Sequence, residues 1–197
     1  MSEFLEAVSS DGFRVLEADL GDEDPEEWIA RARERRVELL WLHTNTDLSP
    51  VGFEPSSGYV RLRAETPASG EALPHLRPEH FAATQDAAFR GLWGHKLVAP
   101  DAEPPAGAVV LGLYEDGEPV GLCTIFPAER LVDGPGVVAA ARDPSRYARL
   151  LAGACAELGP GSIDLDSWGD DLSVIAAYEA LGFAEVERAG GWQLSLG

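Results

Sequence analysis

The chain has 197 residues, 45% of them hydrophobic, and a formal net charge of −19. This length and apolar content suit one domain with a sizeable core and room for an added subdomain. The acidic balance argues against nucleic acid or an anionic membrane as a partner, because phosphate binding needs a basic face. It favours a cationic partner such as a small-molecule amine, although an acidic surface can also serve solubility alone.

The expected location is the cytoplasm. No apolar run approaches the ~20 residues that a membrane-spanning helix needs, and the N-terminus lacks the basic-then-apolar order of a signal peptide. Cys123 and Cys155 fall on apolar faces, so both are expected to be buried free thiols. The four histidines are too scattered to predict a metal site.

The first 64 residues predict a strand, a helix and a second strand. Residues 1–11 are interpreted as a polar lead-in or a short helix, and residues 13–20 as a strand with loose alternation. Asp24 and Pro25 begin a helix that runs to about residue 36, because a carboxylate cap followed by proline is typical of a helix start. Residues 37–44 are strongly strand-like.

The middle of the chain predicts a helix, a hairpin and a short strand. The helix begins at Pro78 and ends at Gly94. Two apolar runs within residues 108–126 flank Asp116-Gly117, which favours a tight hairpin because both residues tolerate positive φ. Residues 137–142 are interpreted as a short apolar strand.

A helix, strand, helix and final strand are predicted from residue 143 onward. Asp143 and Pro144 start a helix whose apolar residues recur every three or four positions, and Gly159 ends it. Residues 162–168 alternate as in a strand. Either Asp170 or Asp171 caps the last helix.

Residues 178–183 read Tyr-Glu-Ala-Leu-Gly-Phe, and this run resembles the closing motif of GNAT-family acyltransferases. In that motif an Asn and an Ala precede the Tyr, whereas Asp171 and Val174 stand at those positions here. The element order also matches the family over about residues 59–197. The resemblance implies an α/β (α+β) fold, a mixed and mostly antiparallel sheet flanked by helices.

A partial repeat of the same sequence pattern precedes this region. Asp24-Pro25-x-x-Trp28 matches Asp143-Pro144-x-x-Tyr147, and Gly52-Phe53 matches Gly182-Phe183. We therefore predict a degenerate GNAT-like half-domain over residues 1–64 and a GNAT-like acyltransferase domain over residues 65–197, with chance similarity as the alternative. A half-domain cannot cover its sheet alone, so it must dock on the complete copy or on another chain, as in a homodimer.

The resemblance implies acetyl-CoA as co-substrate, with its pyrophosphate at a helix N-terminus and its pantetheine arm along the strand at 137–142. A helix N-terminus suits an anion because free N–H groups and the helix dipole both favour negative charge. The residues predicted to contact the cofactor are Ala141, Arg142, Arg146, Tyr147 and Arg149. The three arginines suit phosphate, or else they pair with nearby carboxylates.

This helix start departs from the family pattern. It contains no glycine, Pro144 removes one N–H donor, and Asp143 places a negative charge where phosphate would bind. Tyr178 lies at the family position of the tyrosine that protonates the departing thiolate, with core packing as the alternative. Asp166 is the candidate general base, or else a solvated carboxylate. The hypothesis is an acetyl-CoA-dependent N-acyltransferase of a small amine; the alternative is a degenerate GNAT-fold binding or assembly module.

Overall fold

A nine-stranded mixed sheet forms the centre of the structure, a computed structural model that describes residues 4–197. The strands are β1 (Phe4–Val8), β2 (Arg14–Asp19), β3 (Leu39–His43), β4 (Glu54–Ala64), β5 (Val109–Glu115), β6 (Glu118–Phe126), β7 (Leu131–Val137), β8 (Ile163–Trp168) and β9 (Ala184–Ser195). The α-helices are α1 (Pro25–Glu34), α2 (Phe81–Phe89), α3 (Pro144–Leu158) and α4 (Leu172–Glu179). The 3-10 turns are Ser49–Val51, Pro78–His80 and Ala139–Ala141.

The strand order across the sheet is β1-β2-β3-β9-β4-β8-β7-β6-β5. The neighbours β2/β3 and β7/β8 are parallel, and every other pair among the described strands is antiparallel. The predicted fold class, a mostly antiparallel mixed sheet flanked by helices, is confirmed.

The two predicted units share this one sheet. Strand β4, from residues 1–64, lies between β9 and β8, and strand β9, from residues 65–197, lies between β3 and β4. Each predicted unit therefore has one strand inserted between two strands of the other unit. The division into a half-domain and a complete domain stays a prediction.

A β-bulge makes the central β4–β9 pairing possible. The register shifts between Ser56 and Tyr59, and Gly58 takes φ +70° at this point. A Cβ on Gly58 would lie 2.3 Å from the carbonyl oxygen of Ala189, so only glycine allows the two backbones to come this close.

The helix α3 packs through the face that its spacing predicts. Asp143 caps it, Pro144 is its first residue, and its buried side chains include Tyr147, Leu150 and Leu151. Both cysteines are free and buried, as predicted. The turn between β5 and β6 has φ +50° at Asp116 and +87° at Gly117, the backbone that the hairpin prediction requires.

Two predicted elements are wrong. Residues 4–8 form strand β1 rather than a lead-in or a helix, and residues 1–3 lie outside the described part of the chain. The strand predicted at 137–142 instead ends at Val137, as the last residue of β7, and Ala139–Ala141 is a 3-10 turn. Gly134, Pro135 and Gly136 have low strand propensity, and pairing with β6 overrides it.

A buried ionic cluster fastens the segment after α2 to the sheet. Glu17, on β2, is 8% exposed. Its carboxylate lies 2.8 Å from His43 Nε2 and 2.5 Å from Lys96 Nζ. The backbone N–H of Ser10 donates to the carbonyl of His95 at 2.9 Å, which holds the same segment beside the end of β1.

Glu17→Gln is expected to lower the free energy of unfolding by about 1–3 kcal/mol, because a buried partner of Lys96 loses its charge. The matched control is Glu27→Gln, which removes an exposed carboxylate 3.4 Å from Arg31 and should change stability by less than about 0.5 kcal/mol. Urea unfolding of both variants measures the difference. Equal effects would show that the buried cluster contributes no more than a surface pair.

Candidate functional site

The parallel strands β7 and β8 pair over only three residues and then diverge. Leu131, Val132 and Asp133 pair with residues 164–166. Beyond that point β7 continues beside β6, and β8 continues beside β4. Polar backbone and side chains thus meet at a gap in the sheet, which is where a ligand can approach.

Two small cavities lie at this gap. The first, here called the cleft cavity, has a volume of about 200 Å³ and is lined in part by His95, Asp133 and Trp168. The second, here called the helix-end cavity, has a volume of about 190 Å³ and lies between the N-termini of α3 and α4. Asp170 lines both cavities and therefore stands between them.

Asp170 is the most perturbed carboxylate at the gap. Its Oδ2 accepts hydrogen bonds from Ser167 Oγ at 2.7 Å and from Tyr178 Oη at 3.1 Å. Burial raises the pKa of Asp170 from its ordinary value of 3.8 to about 6, and the two hydroxyl donors oppose this rise. From the sequence, Asp170 is predicted only as one of two possible helix caps. The structure shows Asp171 to be the cap, because its side chain accepts from the N–H groups of Ser173 and Val174.

Tyr178 lies behind Asp170. Its side chain is fully buried, its hydroxyl donates to Asp170, and burial raises its pKa far above the ordinary value. It does not line the cleft cavity or the helix-end cavity. The predicted acid therefore has its proton directed at a carboxylate rather than at open space.

Asp166 is engaged in an ion pair across β8 and β4. Its Oδ1 accepts from Tyr59 Oη at 2.8 Å and from Arg61 Nε at 2.7 Å, and its Oδ2 accepts from Arg61 Nη2 at 2.9 Å. It also lines neither cavity at the gap. This geometry suits a structural ion pair better than a general base.

The N-terminus of α3 is occupied by its own cap. Asp143 Oδ1 accepts from the backbone N–H of Ser145 at 2.9 Å and of Arg146 at 3.4 Å. The Asp143 carboxylate also accepts from Ser145 Oγ and pairs with the Arg146 guanidinium. These contacts, with that of the Ser145 hydroxyl the largest, lower its pKa. The N–H groups that would bind an external anion are therefore already hydrogen-bonded to the Asp143 carboxylate.

Two of the three predicted phosphate ligands are committed elsewhere. Arg146 donates to both carboxylate oxygens of Glu115, at 2.8 and 3.0 Å, and to the carbonyl of Ala141 at 3.1 Å. Arg142 donates to the carbonyls of Ala88 at 2.9 Å and Arg90 at 3.1 Å, which end α2. These contacts match the alternative stated above for Arg146, pairing with a nearby carboxylate.

The remaining predicted contacts differ in exposure. The Arg149 side chain is exposed and makes no hydrogen bond or ion pair within residues 4–197. Tyr147 is buried, lines the helix-end cavity and has its pKa raised to about 12 by burial. Ala141 lies on the 3-10 turn with its carbonyl bound to Arg146, so its main chain is not free on that side.

The helix-end cavity carries more negative than positive charge. The helix-end cavity is lined by three carboxylates, Asp143, Asp170 and Asp171, and by one cation, Arg142, whose guanidinium caps α2. Two like unit charges 4 Å apart repel by about 1 kcal/mol in water and about 4 kcal/mol near a protein surface. A polyanion entering this cavity would be repelled by these carboxylates. The backbone N–H groups at the start of α3 already donate to Asp143.

Two further features bear on function. Within residues 4–197, no helix is long and apolar enough to span a membrane. The same residues contain no group of three or more His, Cys, Asp or Glu side chains arranged to hold a metal ion.

Comparison with known proteins gives a match in structure alone. No protein-family model matches the sequence, and no curated protein matches at a significant level. A structure from Novosphingobium aromaticivorans, assigned to the GNAT family of acetyltransferases, is 18% identical with a TM-score of 0.58, over 97% of this chain and 91% of that chain. A GCN5-related N-acetyltransferase from Kribbella flavida is also 18% identical, with a TM-score of 0.51 over 93% of this chain and 82% of that one.

A third neighbour, a GCN5-related N-acetyltransferase from Sphaerobacter thermophilus, is 11% identical with a TM-score of 0.58, over 98% of this chain and 76% of that one. The chain therefore has the GNAT fold. Identities this low establish the fold and leave the activity to be argued from the site.

Proposed function

We propose that the chain is a GNAT-fold protein whose acyl-CoA site is closed and that works as a small-molecule binding module. The observation that supports this most is the pair of hydrogen bonds that the Asp143 carboxylate accepts from the backbone N–H groups of Ser145 and Arg146. A helix N-terminus binds phosphate through those groups and through its dipole. Here an internal anion takes both, and Asp170 and Asp171 add negative charge beside it.

The gap between β7 and β8 is also partly filled by Phe89, the last residue of α2. Phe89 packs over Gly136 so closely that a Cβ on Gly136 would lie 2.5 Å from the Phe89 ring. Pro135 has no N–H to offer a pantetheine arm. The Arg142 guanidinium joins the end of β7 to the end of α2, donating to the Val137 carbonyl at 3.3 Å.

The test is a thermal shift with acetyl-CoA at about 1 mM. A ligand at a hundred times its Kd stabilises by roughly 2.7 kcal/mol, which for a chain of this size raises Tm by about 5–10 °C. The proposed function predicts no shift beyond that given by an equal concentration of sodium chloride. A saturable rise of several degrees would reject it.

A second candidate, an acetyl-CoA-dependent N-acyltransferase acting on a small amine, is favoured by one observation. Asp170 lines both cavities and has a pKa of about 6, so at neutral pH it is an ionised carboxylate placed to accept a proton from an attacking amine. Tyr178→Phe separates the candidates, because it removes one hydrogen-bond donor to Asp170 and keeps the ring. An acyltransferase would lose turnover and shift its pH profile to higher pH, whereas the binding module has no acetyl transfer above the rate without protein.

A further inference from the structure

The two edges of the sheet differ in how they are covered. At the β5 edge, residues 74–76 lie alongside the strand, and backbone hydrogen bonds of 2.8 Å join them to Val110 and Gly112. At the β1 edge, a neighbouring segment reaches only the C-terminal end, where the Leu97 N–H donates to the Val8 carbonyl at 2.8 Å. The rest of β1 has no strand beside its outer edge among the described residues.

The hydrogen bond from Leu97 shows which backbone groups of β1 point away from the sheet. The Val8 carbonyl points away from β2, and successive residues of a strand direct their N–H and C=O groups to opposite sides. The backbone groups of Glu6 and Phe4 therefore also point away from β2. They have no hydrogen-bond partner in the described chain, so this part of β1 is open to pairing with another strand.

The same edge carries most of the exposed apolar side chains. Seven large apolar side chains are exposed in the described part of the chain. Five of them lie on β1 or on residues hydrogen-bonded to its C-terminal end: Phe4, Leu5, Val8, Phe13 and Leu97. Single exposed apolar residues need no explanation, whereas five at one edge indicate a surface that associates with a partner.

The single charged residue of β1 is already paired. Arg35, the residue that follows α1, places its Nε 2.8 Å from Glu6 Oε1 and its guanidinium carbon 4.4 Å from the centre of the Phe4 ring. Edge strands of natural proteins are often protected by unpaired charges that repel a second strand. Because Arg35 compensates Glu6, this edge lacks that protection.

We infer that two copies of this chain associate through β1, as an antiparallel pair of strands with its two-fold axis at Leu5. This register joins the free N–H and C=O groups of Phe4 in each copy to those of the partner's Glu6. It also places Leu5, which is 52% exposed, opposite the partner's Leu5. An axis at Glu6 would instead bring the partner strand against Val8, where the segment at Leu97 already lies.

Charge favours a second copy as the partner. Hydrogen-bonded residues on antiparallel strands share a face, with Cα atoms about 5.5 Å apart, so the partner's Glu6 lies beside Phe4 and close to the Arg35 guanidinium. Each Arg35 then stands between two carboxylates, its own Glu6 and the partner's Glu6. The interface thus supplies its own counter-charge in a chain whose net charge is −19.

Sedimentation equilibrium of the full chain is the first test. We expect a monomer–dimer equilibrium with a Kd between about 5 and 200 µM. Leu5→Asp should abolish the dimer, because it sets two carboxylates opposite each other at the axis. The matched control is Val186→Asp on β9, a residue exposed to 53%, which should leave the dimer unchanged. A monomer at every concentration, or equal effects of the two substitutions, would overturn the inference.

A cysteine at the axis tests the register directly. Facing residues of a non-hydrogen-bonded antiparallel pair have Cα atoms about 4.5 Å apart, a separation that a disulfide can span. Leu5→Cys, treated with oxidised glutathione, is therefore expected to form a covalent dimer, and Val186→Cys is expected to stay a monomer under denaturing conditions. The native Cys123 and Cys155 are buried and do not compete. Cross-linking of neither variant, or of both equally, would contradict the proposed axis.

Two arginine substitutions test the role of charge. Arg35→Gln should weaken the dimer by about tenfold, since each dimer contains two such arginines and an exposed ion pair changes an equilibrium by roughly threefold. Arg33→Gln, which removes the same charge from an exposed residue of α1 with no ion pair in the described chain, should change the Kd by less than about threefold. Equal losses would show an effect of net charge alone and would overturn the argument for a second copy.

This inference goes beyond the proposed function, because β1 lines neither cavity at the gap between β7 and β8. The two are also tested independently. A dimer that binds acetyl-CoA would reject the closed acyl-CoA site and keep the β1 interface. A monomer that does not bind acetyl-CoA would keep the closed site and reject the interface.

Discussion

Asp143→Ser is expected to create a measurable acetyl-CoA site where the wild-type chain has none. Serine keeps an N-cap for α3, but it removes the carboxylate that holds the N–H groups of Ser145 and Arg146. It also frees Arg146 from one of its two anionic partners. Loss of one like charge beside a diphosphate should strengthen binding by at least about 1.4 kcal/mol, a tenfold gain in affinity. Calorimetric titration with acetyl-CoA at low ionic strength measures the gain.

The chain provides a matched control for this substitution. Asp24 caps α1 in the same way, with Pro25 as the first helical residue and the carboxylate on the N–H of Glu26 at 2.9 Å. Asp24→Ser should cost a similar small amount of stability and leave acetyl-CoA binding as weak as in the wild type. If Asp143→Ser binds no better than Asp24→Ser, then the Asp143 carboxylate is not what closes the site.

Asp170→Asn is expected to stabilise the protein above pH 6. The folded-state pKa of Asp170 is raised from 3.8 to about 6, so the folded chain binds more protons than the unfolded chain between these values. Wild-type stability therefore falls as pH rises through this window, by up to about 1.4 kcal/mol for each pH unit. Asparagine keeps the shape and never ionises, so the variant should be more stable by about 1–3 kcal/mol at pH 8 and equal to wild type near pH 3.

Urea unfolding at pH 8 and pH 3 tests this expectation, with Asp166→Asn as the control. Asp166 is paired with Arg61 through two hydrogen bonds, so neutralising it should lower stability, the opposite sign. A loss of stability in Asp170→Asn at pH 8 would mean that the carboxylate is better stabilised by Ser167 and Tyr178 than its burial allows.

Local signals predicted much of this fold because they act within a few residues. Asp143-Pro144 starts α3 as the capping chemistry requires, and Asp116-Gly117 forms the hairpin. The motif at residues 178–183 led to the GNAT fold, which the comparison of structures confirms. The acidic cap at Asp143 was also visible in the sequence as a conflict with phosphate binding.

Features that depend on distant packing were missed. Strand β7 contains Gly134, Pro135 and Gly136, and only its pairing with β6 makes it a strand. Asp170 and Asp171 are neighbours in sequence, and only the position of α4, which packs against α3, decides which one is buried at the gap. Residues 41, 54 and 193 lie in one row across the sheet, because β9 is placed between β3 and β4.

The backbone amide signals of Ser145 and Arg146 in a ¹⁵N NMR titration with acetyl-CoA give the most direct test of the closed site. These two N–H groups are the ones that the Asp143 carboxylate occupies. We predict no saturable shift of either signal up to about 1 mM acetyl-CoA, a limit that corresponds to about 4 kcal/mol of binding free energy. Saturable shifts of both signals, together with those of Gly136 and Val137 at the end of β7, would show that the diphosphate displaces the cap and would contradict this account.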